Sequence, residues 1–226
     1  MTIVERIVEP DHEAASARAA ALLVGAVRAG AGIALSGGST PRRAYELAAA
    51  LEPDWGGATV WLADERCVVP GDQLANATLV AETILDRVAV PPRFHPVATH
   101  VGPEGAAARY DALLRREDLP ALVLLGVGGD GHTASLFPGS PALDEREALA
   151  VAAEPGMEPF VPRVTLTLPT IAAAAQVVFL VTGLAKAEVA RLAFAGPPSH
   201  ELPASLARSE TGTTVAILDE AAASRL

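Results

Sequence analysis

Short apolar runs alternate with helix-like segments along almost the whole chain, and this alternation restricts its fold more than any other feature. The strand-like runs are Gly32–Ser36, Thr59–Ala63, Ala121–Gly126, Ala148–Ala153, Val164–Leu168, Val177–Thr182 and Thr214–Leu218. Helix-like segments lie near 11–29, 41–51, 74–88, 103–116, 169–175, 185–194 and 219–224. Strand, helix and strand in succession make βαβ units, which assemble into a mostly parallel sheet with helices on both faces. The run Leu122-Val-Leu-Leu125 is apolar at every position, as a strand buried on both faces must be. No repeat or low-complexity linker interrupts the 226 residues, so one α/β domain over 1–226 is expected.

Half of the residues are apolar, enough for a substantial core at this length. Only 4% are aromatic, so Ala, Val and Leu must build that core. In the first helical segment Ala15, Ala19, Leu22, Leu23, Ala26 and Val27 share a face; Asp11 is placed to cap its start and Gly30 to end it. This segment is not a secretory signal, because Glu5, Glu9, Asp11 and Glu13 precede it and Arg18 interrupts it. No apolar stretch reaches the roughly 18 residues that span a bilayer. A net charge of −10 leaves no broad basic face for nucleic acid or an anionic membrane. The single cysteine, Cys67, excludes an internal disulfide and fits a reducing compartment, so a cytoplasmic protein is expected. The proline-rich stretches 89–100 and 195–204 read as exposed loops.

Ligands of parallel sheets bind outside the carboxyl ends of the strands, and four runs here end in chemically loaded loops. Ser36-Gly-Gly-Ser-Thr-Pro41 joins a strand to a helix; Thr40 can cap that helix and Pro41 fits its first turn. Its free N–H groups and hydroxyls suit a phosphate, although an ordinary strand–helix joint looks the same. It is no Walker loop, since G-x-x-x-x-G-K is missing. In Leu62-Ala-Asp-Glu-Arg-Cys67 three charges follow a strand. They are either a solvated turn or a site in which Arg66 clamps an anion and Asp64 holds a sugar hydroxyl or orients a neighbour. Gly126-Val-Gly-Gly-Asp-Gly-His132 places a histidine among glycines at a strand end, with Asp130 two residues earlier. It matches the dinucleotide fingerprint in letters, but Pro138, Gly139 and Pro141 forbid the long helix such a loop must open. The remaining reading is a small-molecule site with His132 as acid and base. Lys186, the only lysine among 17 basic residues, follows the run 177–182 in Thr182-Gly-Leu-Ala-Lys186 and can meet a phosphate.

Taken together, the segments Leu35-Ser-Gly-Gly-Ser-Thr-Pro41, Ala63-Asp-Glu-Arg66, Gly126–Pro138, Arg163-Val-Thr-Leu-Thr-Leu-Pro169 and Gly183-Leu-Ala-Lys186 resemble the 6-phosphogluconolactonase family. They follow in the family's order over nearly the whole chain. The resemblance implies a Rossmann-like α/β fold, no cofactor, and hydrolysis of 6-phosphoglucono-1,5-lactone to 6-phosphogluconate in the oxidative pentose phosphate pathway. It implies a phosphorylated sugar lactone held by Gly37, Gly38, Ser39, Thr40, Asp64, Arg66, Gly128 and Lys186, with His132 and Asp130 catalytic. His132 would take a proton from water as it attacks C1 and return it to the departing ring oxygen. Backbone N–H groups of the glycine loop, or a nearby cation, would stabilise the oxyanion. No nucleic acid or membrane partner is implied, and a monomer or weak homodimer is expected.

A seryl hydrolase lacks its G-x-S-x-G here, and the five histidines show no zinc-binding spacing such as H-E-x-x-H. Two rivals remain. A glucosamine-6-phosphate deaminase shares the Asp-Gly-His loop, but carries Asn-Glu-Pro where this chain has Leu136-Phe137-Pro138, and usually tyrosine in place of Arg66. A sugar-phosphate sensor would bind without chemistry, and such sensors usually bring a DNA-binding or partner domain that is not visible here.

Overall fold

The computed structural model describes residues 4–226, so the first three positions of the 1–226 span lie outside the description. The chain opens with β1 (Val4–Glu9) and α1 (His12–Arg28). Asp11 caps α1 by accepting the Ala14 N–H at 2.8 Å, and Gly30, at φ +66°, ends it. Ala15, Ala19, Ala20, Leu23, Val24 and Val27 face the core, while Leu22 and Ala26 sit half-buried at its margin. Then come β2 (Gly32–Leu35), α2 (Ser39–Leu51), β3 (Thr59–Leu62), β4 (Asp64–Arg66), α3 (Asn76–Val80) and β5 (Arg93–Phe94). The second half contains α4 (Pro103–Arg116), β6 (Leu122–Leu125), β7 (Ala150–Ala153), β8 (Arg163–Leu166), α5 (Leu168–Ala173), β9 (Gln176–Val181), α6 (Ala187–Ala195), β10 (Thr213–Asp219) and α7 (Glu220–Ala223).

Seven strands form one sheet in the order β1-β10-β9-β6-β2-β3-β5, and every pairing in it is parallel. From β2 the chain moves outward through β3 and β5; from β6 it moves the other way through β9 and β10. The direction reverses between β2 and β6, and the loops that leave adjacent strands there diverge and open a crevice. Helices cover both faces. Ala, Val and Leu dominate the core, with Trp55, Trp61, Tyr45 and Phe179 as its largest fully buried side chains.

Four details differ from expectation. The runs at 148–153 and 164–168 do not join the parallel sheet: β7 and β8 pair antiparallel with each other, and β4 completes a separate sheet of order β4-β8-β7. The link 154–162 holds no helix and is too short for a parallel crossover, so it can only return the chain antiparallel. β1 was not anticipated and lies at the sheet edge beside β10. The segment 74–88 is not one helix, since α3 gives way to a π-helical turn over Ala81–Leu85. The stretch 195–204 ends buried: Pro203 and Ala204 are covered, and the Ala204 N–H donates to Gly131 O at 2.9 Å. Among the described residues no helix is long and apolar enough to cross a membrane.

Candidate active site

The crevice between β2 and β6 holds a cavity of about 390 Å³, within the range of small-molecule sites. Gly37, Gly38, Ser39, Thr40, Asp64, Arg66, Gly128, His132 and Lys186 all line it. Asp130 stands behind His132 and outside the wall.

The first wall is the start of α2. Gly38 is its N-cap at φ +102°, and no side chain caps it. Thr40 therefore does not cap the helix as expected; the helix starts one residue before it, and Thr40 lies inside the first turn. That turn holds no acidic residue, and the first N–H groups of a helix have no partner within it. They present a partial positive end to the cavity. Beside them Ser36 Oγ is buried with no partner among the described residues.

The second wall comes from the hand-over between the two sheets. Ala63 donates its N–H to Leu35 O (2.8 Å) and accepts from Leu166 N–H (2.8 Å), which ties the bend between β3 and β4 to β2 on one side and β8 on the other. Along β4, Asp64 and Arg66 point one way and Glu65 the other, as alternation requires. Asp64 is 5% exposed and accepts from Ser135 Oγ at 2.6 Å and Asn76 Nδ2 at 3.1 Å. Burial pushes the Glu65 carboxyl up to about 7 against three backbone N–H donors, from Asn76, Ala77 and Arg66. Arg66 lies directly opposite Arg163 on β8. Like charges facing across a ladder repel. Burial draws the Arg163 pKa down; the Asp64 charge opposes this and Arg66 adds to it. The Nε atoms of both arginines are buried without a partner among the described residues.

The third wall is the glycine loop. His132 Nδ1 lies 2.5 Å from Asp130 Oδ1, and its backbone N–H donates to the same oxygen at 3.1 Å. Burial works against ionisation of Asp130, but the histidine's charge and these hydrogen bonds outweigh it and hold the carboxyl below its ordinary value. With Nδ1 engaged, Nε2 is the ring nitrogen free for chemistry. The Phe137 ring stacks at 4.8 Å on the imidazole's flank, and the Arg163 guanidinium covers that phenyl ring at 5.6 Å. Gly128 passes so close that a Cβ there would overlap the imidazole. Gly128→Ala is therefore expected to push the ring aside and lower kcat about 100-fold, the cost of about 1 Å of misplacement. A melting curve close to wild type should accompany the loss; an unchanged kcat would mean that the loop yields instead of the ring.

The fourth wall follows β9. A 3-10 turn, Leu184–Lys186, leads into α6, and Asp219 at the end of β10 holds the Gly183 N–H at 2.9 Å. Lys186 Nζ donates to Val127 O at 2.8 Å. Burial lowers the Lys186 pKa, and Asp130 pulls the other way.

Two contributors were not singled out from the sequence. Arg163 opened a quoted segment but had no role assigned, and Asn76 went unnoticed. Their signals are a cross-strand pairing and a contact between distant loops, neither of which shows as local periodicity. Among the described residues no group of three His, Cys, Asp or Glu side chains converges as a metal site.

A family model described as glucosamine-6-phosphate isomerases/6-phosphogluconolactonase matches residues 5–216. A 6-phosphogluconolactonase of Streptomyces coelicolor is 36% identical over 99% of this chain and 94% of its own. A solved 6-phosphogluconolactonase from Trypanosoma cruzi superposes with a TM-score of 0.88 at 28% identity, covering 100% of this chain and 98% of that one. A solved monomeric glucosamine-6-phosphate deaminase superposes at 0.85 with 20% identity, covering 99% of this chain and all of that one, and shows the same fold.

Proposed function

Because the chain belongs to the glucosamine-6-phosphate isomerase/6-phosphogluconolactonase family, we propose that His132 is the general base with which it opens its substrate. The activity is that of a 6-phosphogluconolactonase, the hydrolysis of 6-phosphoglucono-1,5-lactone to 6-phosphogluconate in the oxidative pentose phosphate pathway. One observation carries the mechanism: a histidine with Nδ1 engaged by Asp130 faces a cavity that also holds Arg66, Arg163 and Lys186. Three cations in an acidic protein suit a phosphorylated substrate, and a lactone carbonyl needs only an activated water.

The phosphate takes the first turn of α2 together with the three cations. Water attacks C1 while Nε2 accepts its proton, and Asp130 steadies the imidazolium that forms. Gly128 and Gly131 spend their N–H groups within the loop. The N–H of Gly129, a wall residue with no partner among the described residues, is the donor assigned to the oxyanion. The C1–ring oxygen bond then breaks, and the proton on Nε2 passes to the departing oxygen. Ionisation of the new carboxyl releases one proton per turnover.

The deaminase reading requires a second carboxylate beside the histidine. Phe137 occupies that motif position and presents a ring. The test is acid release at constant pH from freshly made lactone, with the uncatalysed rate subtracted, beside an ammonia assay on glucosamine 6-phosphate. Acid release without ammonia is expected. Ammonia release would overturn the assignment, and neither product would leave a binding protein.

A further inference from the structure

Asn76 is the first residue of α3 and 1% exposed, yet three residues of the cavity wall, Asp64, Arg66 and Gly37, meet on it. Its Oδ1 accepts from Arg66 Nη1 at 2.7 Å. Its Nδ2 donates to the Asp64 backbone oxygen at 2.8 Å and to Asp64 Oδ1 at 3.1 Å. Guanidinium only donates and carboxylate only accepts, so these partners fix which way the carboxamide faces. Its backbone N–H donates to Glu65 Oε1 at 2.7 Å, so all three residues of β4 bind it. On the other side Gly37 approaches so closely that a Cβ would overlap the carboxamide.

The bonds to Arg66 are one-sided. Nη1 donates to Asn76 Oδ1 and, at 2.8 Å, to Leu74 O. Nη2 makes no hydrogen bond among the described residues and is the donor left for a phosphate oxygen, while Nε lies buried. Arg66 also faces Arg163, so without an anchor its fork would swing away from the like charge.

We propose that Asn76 is a positioning residue for phosphate recognition, acting by holding Arg66 Nη1 so that Nη2 is left for the ligand. This rests on the reading that Arg66 binds the substrate's phosphate. Asn76 touches no reacting atom, so its loss should act on affinity and not on the proton transfers at His132.

The test is a double-mutant cycle of Asn76→Ala and Arg66→Ala. It is read as KM and kcat on 6-phosphogluconolactone and on the unphosphorylated 1,5-lactone, and as binding of inorganic phosphate by calorimetry. Asn76→Ala should raise KM for the phosphorylated lactone about tenfold to a hundredfold, the usual range for a lost hydrogen bond to a charged group. It should leave the unphosphorylated lactone within about twofold. In the Arg66→Ala background it should add nothing. Asn76→Asp keeps an acceptor for Arg66 and should retain more phosphate affinity than Asn76→Ala. Equal losses on both lactones, or losses additive with Arg66→Ala, overturn the proposal while leaving Arg66 in the phosphate site. An Arg66→Ala variant with intact phosphate affinity overturns both.

Discussion

His132→Ala is expected to lower kcat for lactone hydrolysis by about two to four orders of magnitude, the usual worth of a placed general base. Affinity for 6-phosphogluconate should stay within a few-fold. Binding and chemistry separate here because different groups carry them. In the proposed site the phosphate falls to the first turn of α2 and to cations on β4, β8 and the turn after β9, whereas His132 sits on the loop after β6. Without the imidazole, water must surrender its proton unaided in a site still shaped for the lactone. Kinetics against freshly made substrate and calorimetry with product measure the two quantities. Weak product binding with preserved turnover would place His132 among the binding groups. Asp130 is held below its ordinary value, so the carboxylate keeps its charge and its hold on Nδ1 in moderate acid.

The second large effect is expected at Lys186. Lys186→Ala should weaken binding of the phosphorylated lactone about 30-fold or more, the scale on which removing one member of a buried charge pair acts. The unphosphorylated lactone should be nearly unaffected. The ammonium is half-buried and bonded to one neutral carbonyl, Val127 O, and among the described residues no carboxylate forms an ion pair with it. A charge solvated that poorly gains much from a phosphate dianion. Arginine is no substitute, because a planar fork cannot occupy the place of a point charge against Val127 O. Specificity constants for both lactones decide the matter; equal losses would remove Lys186 from the phosphate site.

Much of this was legible because local chemistry announced it. Asp11 and Gly30 bracket α1, Leu122–Leu125 reads as a strand by composition, and the four loaded loops follow from where strands must end. What escaped depends on pairing between distant segments. Asp64-Glu65-Arg66 shows no apolar pattern and is a strand only because β8 lies beside it. Val4–Glu9 alternates weakly and is read as a strand only once β10 is in place. Thr40 looked like a cap because threonine caps helices in general. Here Gly38 takes the N-cap, and the first turn is left open to the cavity. Asn76 reads as one polar residue near the start of a helix-like segment, and nothing local says that its carboxamide spans Arg66 and Asp64.

The facing of Arg66 and Arg163 also makes the ligand a folding partner of the protein. Two guanidinium groups on neighbouring strands repel, and in the proposed site a phosphate would offset that repulsion while the unfolded chain has no comparable place for it. Resistance to heat and proteolysis should then rise with sugar-phosphate concentration, by about 2.7 kcal/mol at a hundredfold excess over Kd. An apolar residue at Arg163 should weaken that response, because one of the three cations of the proposed phosphate site is gone. Survival under heat or protease, measured with and without added 6-phosphogluconate, should therefore track the supply of ligand.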